Sequence, residues 1–406
     1  MKLSREFSIN RLLITVLICL VALMCTQFVI AVTTDNQKPE FSYENEIVKI
    51  LDVVKSGKID LAFTLLDQHL VAYPTSQIAN LIRADLLYAM SSNLVEIGGG
   101  ANQKSNNLNG LGHQIRNRWK QSNFNIYQDE LVPSSLVEIG HHKHVIVADL
   151  NSGRLYLYEN FNGRARLLRD YYLTIGSEGF GKYLEGDNKT PIGVYSIYRN
   201  IPSSELPDLY GDGAYPVNYP NRFDRSQNRT GSGIWLHGTP SDTYARAPWA
   251  SKGCFVLSND DFVDIEKYIS VKERTPVILS DSIQWVNRKE LATLRTSYLS
   301  VLNRWKKDWE SLNTEAYLSH YSREKFNFGK NSFQSWANKK REVNRAKKFV
   351  RVNLEIESLF IYPGVSDVFV VKYTQDYTSS NFSSKTDKQQ YWQRNKQGRW
   401  KIIYEG

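Results

Sequence analysis

Cysteine is nearly absent from this 406-residue chain. Of three cysteines, Cys19 and Cys25 fall in an apolar N-terminal run, which leaves Cys254 alone in the body. A lone thiol has no intramolecular partner, so a disulfide-stapled fold is excluded, and Cys254 is either a small buried hydrophobe or a used nucleophile. No phosphate-binding glycine loop, zinc-ligand spacing or paired-carboxylate pattern is present. Nucleotide, structural-zinc and two-carboxylate hydrolase chemistries therefore find no support. His141, His142 and His144 lie close together, but no cysteine or carboxylate cluster accompanies them, and no metal or other cofactor is expected. The net charge of +9 is modest for this length. It fits a wall polymer or an anionic membrane surface as well as nucleic acid, and no nucleic-acid partner is expected. No long segment is biased enough in composition to read as disordered.

What is present begins with an address. Lys2, Arg5 and Arg11 precede the uncharged run Leu12–Val32, which is long enough to cross a bilayer. Residues 1–33 thus read as a signal peptide or membrane anchor. The rest of the chain is then exported to the periplasm, tethered to the inner membrane through residues 12–32 if the segment is retained.

Hydrophobic periodicity divides the remainder. Ile47, Ile50, Leu51 and Val54 open a helical pattern that continues through Leu86 and is broken at Pro74, so residues 43–121 read as a helical cap. The Gly/Asn/Ser-rich stretch 98–110 reads as a linker, with a short helix near Gln114–Gln121 after it. From His144 the period changes to that of strands: HVIVADL, RLYLYEN, ARLLRDYYLTIG, TPIGVYSIYR, GIWLHG, GCFVLSN and TPVILS. These give a mostly β domain over 141–281 with one helix at Asp260–Tyr268. Leu291, Leu294, Tyr298, Val301, Trp305, Trp309 and Leu312 then line one face of a long helix. Alternating strands follow it, so residues 287–406 form an α+β unit. Trp305 and Trp309 at helical spacing read as core, and the basic stretch Lys339–Arg351 as a solvated helix face.

The segment that carries chemistry is 234–260. A strand ends in His237-Gly238, a polar loop follows, and Ser251-Lys252-Gly253-Cys254 leads into the next strand. An imidazole within reach of a thiol takes its proton and returns it to a leaving amine. A glycine beside the nucleophile lets backbone amides approach a developing oxyanion.

This segment resembles the signature of the L,D-transpeptidase (YkuD) family, with the family's base on His237 and its nucleophile on Cys254. Ser251, Gly253 and Asn259 also fit. TPIGVY at 190–195, TPVILS at 275–280 and the hairpin at 144–159 resemble the family's flanking strands. The pattern departs at Lys252, where the family places a histidine; a cation there would favour the thiolate. Trp-Leu-His-Gly-x-Pro…Lys-Gly-Cys, followed by a C-terminal α+β unit, is similar to the cell-shape L,D-carboxypeptidase-like subgroup. In that subgroup a cone-like nuclear-transport-factor-2-like (NTF2-like) domain follows the catalytic one.

The resemblance implies a cysteine acyltransferase of cell wall biogenesis that acts on peptidoglycan stem tetrapeptides through a cysteinyl thioester. An amine, including that of a wall-attached protein, gives cross-linking or anchoring; water gives L,D-carboxypeptidase trimming to tripeptide. The reading of another class is a non-catalytic wall-binding module. The resemblance further implies that Gly238 helps hold the imidazole and that Gly253 and Cys254 supply oxyanion amides. The loop 206–232 reads as a lid over the cleft, and Tyr219, Arg229, Trp235 and Arg246 as contacts for stem carboxylates and apolar surface.

Overall fold

The computed structural model describes residues 43–90, 106–121, 131–326 and 332–406. The export segment 1–33, and residues 98–105 of the expected linker, lie outside the described residues. No helix among the described residues is long and apolar enough to cross a membrane.

Four helices come first: α1 (Tyr43–Lys55), α2 (Ile59–Ala72), α3 (Gln77–Met90) and α4 (Asn106–Gln121). The last begins well before the expected Gln114. The periodic residues meet as designed by their spacing: Ile47, Ile50, Leu51, Leu66, Ile78, Ile82, Leu86 and Ile115 form one buried cluster.

The β part runs through β1 (Leu131–Pro133), β2 (His144–Asp149), β3 (Arg154–Phe161), β4 (Arg164–Tyr172), β5 (Ile175–Gly176), β6 (Gly193–Ser196), β7 (Ile201–Pro202) and β8 (Gly213–Pro216). A short helix α5 (Arg222–Ser226) precedes β9 (Trp235–His237), β10 (Trp249–Ser251) and β11 (Phe255–Val256). Then come α6 (Asn259–Glu266), β12 (Pro276–Ser280) and β13 (Trp285–Asn287). The main sheet has the order β4-β3-β2-β12-β6, parallel only between β2 and β12; a second has the order β11-β9-β8-β7.

Strand β2 shows why the chain needs its C-terminal part. All six residues of HVIVAD are buried, so both faces of the strand are covered. Ile146 and Ala148 face a core shared with Leu236, Phe255, Phe262 and Leu279. Val145 and Val147 face the opposite way, into a core shared with Phe360, Tyr362, Val370 and Tyr391.

Those last residues belong to an antiparallel meander in the order β14 (Val350–Ile361), β15 (Val368–Ser379), β16 (Phe382–Arg394) and β17 (Trp400–Glu405). The long helix α7 (Arg288–Glu310) packs on this meander, and α8 (Thr314–Ser319) and α9 (Phe333–Arg345) complete the unit. Trp305 is fully buried, edge-on to Trp392, as expected of a core tryptophan. The boundary expected near 287 is therefore a turn between elements and not a break in the core. Close approach seals it. Gly140 sits at φ +51°, and a Cβ there would lie 1.7 Å from the Glu357 carbonyl oxygen, so no other residue fits. Glu138 bridges to Leu359 and pairs with Arg295 at 3.0 Å.

The lid expectation for 206–232 is overturned. The segment holds β8 and α5, the latter started by an Asn221/Asp224 capping box. Phe223 stacks on Tyr391 and packs on Tyr362, while Asn221 Nδ2 donates to the Tyr362 hydroxyl at 3.0 Å. The α5 part of this segment is a strut between two parts of the molecule.

Candidate functional site

Strands β9 and β11 are parallel neighbours, with Leu236 opposite Phe255 and His237 opposite Val256. One step back along that register puts Cys254 beside Trp235, so a 16-residue excursion of chain returns its cysteine next to the strand that carries the histidine. Cys254 thus lies across from Trp235, two residues before His237 on the same strand.

The cysteine turn is clamped from both sides. Ser251 Oγ accepts from the Gly253 N–H at 3.1 Å and donates to the Cys254 carbonyl at 2.6 Å. Thr190 Oγ1 accepts from the Gly176 N–H at 2.9 Å and donates to the Gly253 carbonyl at 3.0 Å. Gly253 has φ +116°, and a Cβ there would meet the Lys189 carbonyl oxygen at 2.8 Å. The Gly253 N–H is thus already engaged, which corrects the expectation that it serves an oxyanion. The Cys254 N–H has no hydrogen-bond partner among the described residues and remains available.

His237 is buried, edge-on to Tyr210 at 5.0 Å between ring centres. Its Nδ1 lies 2.6 Å from the Gly238 carbonyl oxygen. A carbonyl only accepts, so Nδ1 carries the proton and Nε2 is the basic nitrogen. Burial lowers the imidazole pKa to about 4; the Gly238 carbonyl opposes the shift and Arg246 adds to it. Gly238 is held in turn by its own N–H, which donates to the Tyr210 carbonyl at 3.1 Å.

The Cys254 thiol is half-buried and contacts the Gly233 carbonyl oxygen at 3.4 Å. Burial raises its pKa to about 11, against the pull of a Trp235 backbone hydrogen bond and the cations Arg246 and Lys182. Thiol and imidazole are therefore both neutral in the free protein. Lys252 is exposed and is not among the charges acting on the sulfur, which corrects the expectation placed on it.

The substrate candidates divide. Trp235, half-buried, packs against Tyr210 at 5.0 Å, and Arg246 interacts electrostatically with both Cys254 and His237. Tyr219 is instead a core residue whose hydroxyl donates to the Thr230 carbonyl at 2.9 Å, and Arg229 is committed to buried Asp224 at 2.9 Å. Both are structural. Three residues near the centre escape a reading of the sequence: Thr190, Tyr210 and Lys182. Lys182 is buried and paired with Asp187 at 2.7 Å. Only the TPIGVY strand start at Thr190 offered a signal. Among the described residues no group of histidine, cysteine and carboxylate side chains could hold a metal. His141 instead pairs with Glu355 at 3.3 Å, and His144 packs edge-on to Tyr268.

Comparison with known proteins agrees with this architecture. Residues 143–279 match the L,D-transpeptidase catalytic domain family (YkuD), and residues 297–406 match the Cds6 C-terminal NTF2-like domain. The Escherichia coli (strain K12) protein YafK, described as a candidate L,D-transpeptidase, is 29% identical over 117 residues. That match spans 29% of this chain and less than half, 43%, of YafK. Two solved structures cover about two thirds of this chain. Bdellovibrio bacteriovorus Bd1075 superimposes with a TM-score of 0.60 and 28% identity over 68% of this chain and 98% of its own. The helical cell shape determining protein Pgp2 of Campylobacter jejuni gives 0.56 and 25% over 67% and 95%.

Proposed function

We propose, from the premise that this chain is an L,D-transpeptidase (YkuD) family protein with an NTF2-like domain behind the catalytic one, that it is an exported enzyme of peptidoglycan stem peptides. Cys254 is the nucleophile and His237 the general base. The observation that carries this reading is the β9–β11 register, which sets the lone thiol beside a strand ending in an imidazole whose Nε2 is free to accept a proton.

The reaction follows from those positions. Cys254 Sγ bonds to the carbonyl carbon of the third stem residue while its proton passes to His237 Nε2. The oxyanion forms beside the unengaged Cys254 N–H. The bond to the terminal D-alanine nitrogen breaks, and that nitrogen takes the proton back from Nε2. A thioester remains. An amine from a second stem, or from a wall-attached protein, resolves it to a cross-link or an anchor; water resolves it to a tripeptide. Hydrolysis is the second reading, because the Trp-Leu-His-Gly motif and the domain order resemble the cell-shape L,D-carboxypeptidase-like subgroup and Pgp2 is a helical cell shape determining protein.

Mass spectrometry of defined muropeptides after incubation with the protein decides. Loss of D-alanine with dimer formation establishes transpeptidation, and loss giving only tripeptide establishes carboxypeptidation. Cys254→Ala abolishes either while leaving the circular dichroism spectrum unchanged. Wild-type turnover in that variant removes Cys254 from the mechanism. No processing by the wild-type protein supports a non-catalytic wall-binding module instead.

A further inference from the structure

The N-terminal helices lie outside both matched families, which begin at residue 143 and residue 297. Their docking is specific. Glu44 of α1 is buried, with Arg118 of α4 at 2.7 Å and Arg154 of β3 at 3.0 Å, so one carboxylate ties the helices to the main sheet. The Arg118 guanidinium lies 3.8 Å over the ring of Tyr172, and the Tyr172 hydroxyl donates to the Arg246 carbonyl at 3.1 Å. Tyr43 stacks on Tyr244 at 5.5 Å, and Tyr73 meets the same ring edge-on at 5.0 Å. The helices thus grip the 242–250 segment, which leads directly into the cysteine turn.

Between the helices and that segment lies a cavity of about 460 Å³, lined among others by Tyr43, Gln77, Gln114, Tyr244, Trp249 and Arg246. The side-chain hydrogen bond of Arg246 goes to the Ala250 carbonyl, at 2.6 Å. No carboxylate among the described residues pairs with this guanidinium, although burial disfavours its charge. Asp242, also on the lining, is exposed and accepts from the Thr243 hydroxyl. A half-buried cation without an anion, beside a polar cavity and in electrostatic contact with Cys254 and His237, calls for an anionic ligand close to the reacting bond. In a stem tetrapeptide that anion is the carboxylate of the terminal residue, which is attached to the scissile nitrogen through a single carbon. The cavity has room for the carboxylate and the residue that bears it.

We infer that the cavity between the N-terminal helices and residues 242–250 is the subsite for the carboxylate end of the peptide substrate, with Arg246 as the counter-charge and the helices as its outer wall. This rests on the reading of the protein as a stem-peptide enzyme.

The test uses the full chain carrying Cys254→Ala, and two probes: a stem tetrapeptide with a free terminal carboxylate and its terminal carboxamide. The carboxylate binds about tenfold more tightly than the carboxamide, as for a charge-assisted pair lost. Arg246→Gln erases that difference and Arg246→Lys restores part of it. Gln77→Trp, an exposed position on the helical wall, weakens the carboxylate probe without changing the unfolding temperature. Equal binding of both probes, an equal loss for both in Arg246→Gln, or no effect of Gln77→Trp overturns the subsite. Displacement of the carboxylate probe by a peptide-free wall disaccharide reassigns the cavity to glycan and also overturns it. With wild-type protein, unaltered tetrapeptide turnover in Gln77→Trp sinks the subsite alone. Absence of both turnover and binding sinks the functional reading and the subsite with it.

Discussion

Cys254 and His237 are held uncharged, and the consequence is visible in pH. A base works when deprotonated, so lowering the imidazole pKa from 6.5 to about 4 extends its working range downward. The acid limb of kcat/KM falls near pH 4 rather than near 6.5; a limb between 6 and 7 in the pH–rate profile would show the imidazole titrating normally. On the alkaline side, a thiol raised to about 11 stays protonated well past neutrality. Alkylation of the free protein by iodoacetamide is accordingly slow at pH 7 and still rising above pH 9. A plateau below pH 8 contradicts this. Thr190→Val strips acceptor and donor from two buried backbone groups, at a cost of about 1–3 kcal/mol, measured by urea unfolding. The proposed pair of Cys254 and His237 can be named from the sequence because the chemistry asked of it depends on residue type and lies within one short segment. Thr190 was marked only by the TPIGVY strand start, and Tyr210 and Lys182 carry no mark of their own: each reaches the site through contacts across the fold.

Among the elements, the helical repeat of α1 to α3 and the alternation of β14 to β17 are plain in the sequence, because one face of each is buried. Docking is not. Glu44 reads as an ordinary acid in the first turn of a helix, yet it is buried between two arginines. Glu44→Gln takes the counter-charge from buried Arg118, while Arg154 keeps Asp170, and destabilises the docked helices by about 3–5 kcal/mol. Limited proteolysis reads this directly: α1 and α2 are released first in the variant and together with the rest in the wild-type protein. The 206–232 segment was misread as a lid because its composition is that of a loop. The Asn221/Asp224 capping box was its one sign of order, and the partner of Phe223 lies far along the chain.

At the scale of the whole molecule, the unbroken apolar run of β2 announced that both faces of the main sheet are covered, without saying by what. The cover is the C-terminal meander. Phe223→Ala, which opens the shared core beside Tyr362 and Tyr391, costs about 3–5 kcal/mol. It lowers one cooperative transition for residues 131–406; two separate transitions by calorimetry would show two independent cores.

That shared core also bears on how such a protein is inherited. Recombination that carried only the catalytic strands into a new chain would strip Val145, Val147 and Ile278 of their cover and strand Gly140 against nothing. The unit that keeps this core whole is the pair of domains. The N-terminal helices are joined to that pair by one buried carboxylate and a few aromatic contacts, so a change in them leaves the core shared by the two domains covered.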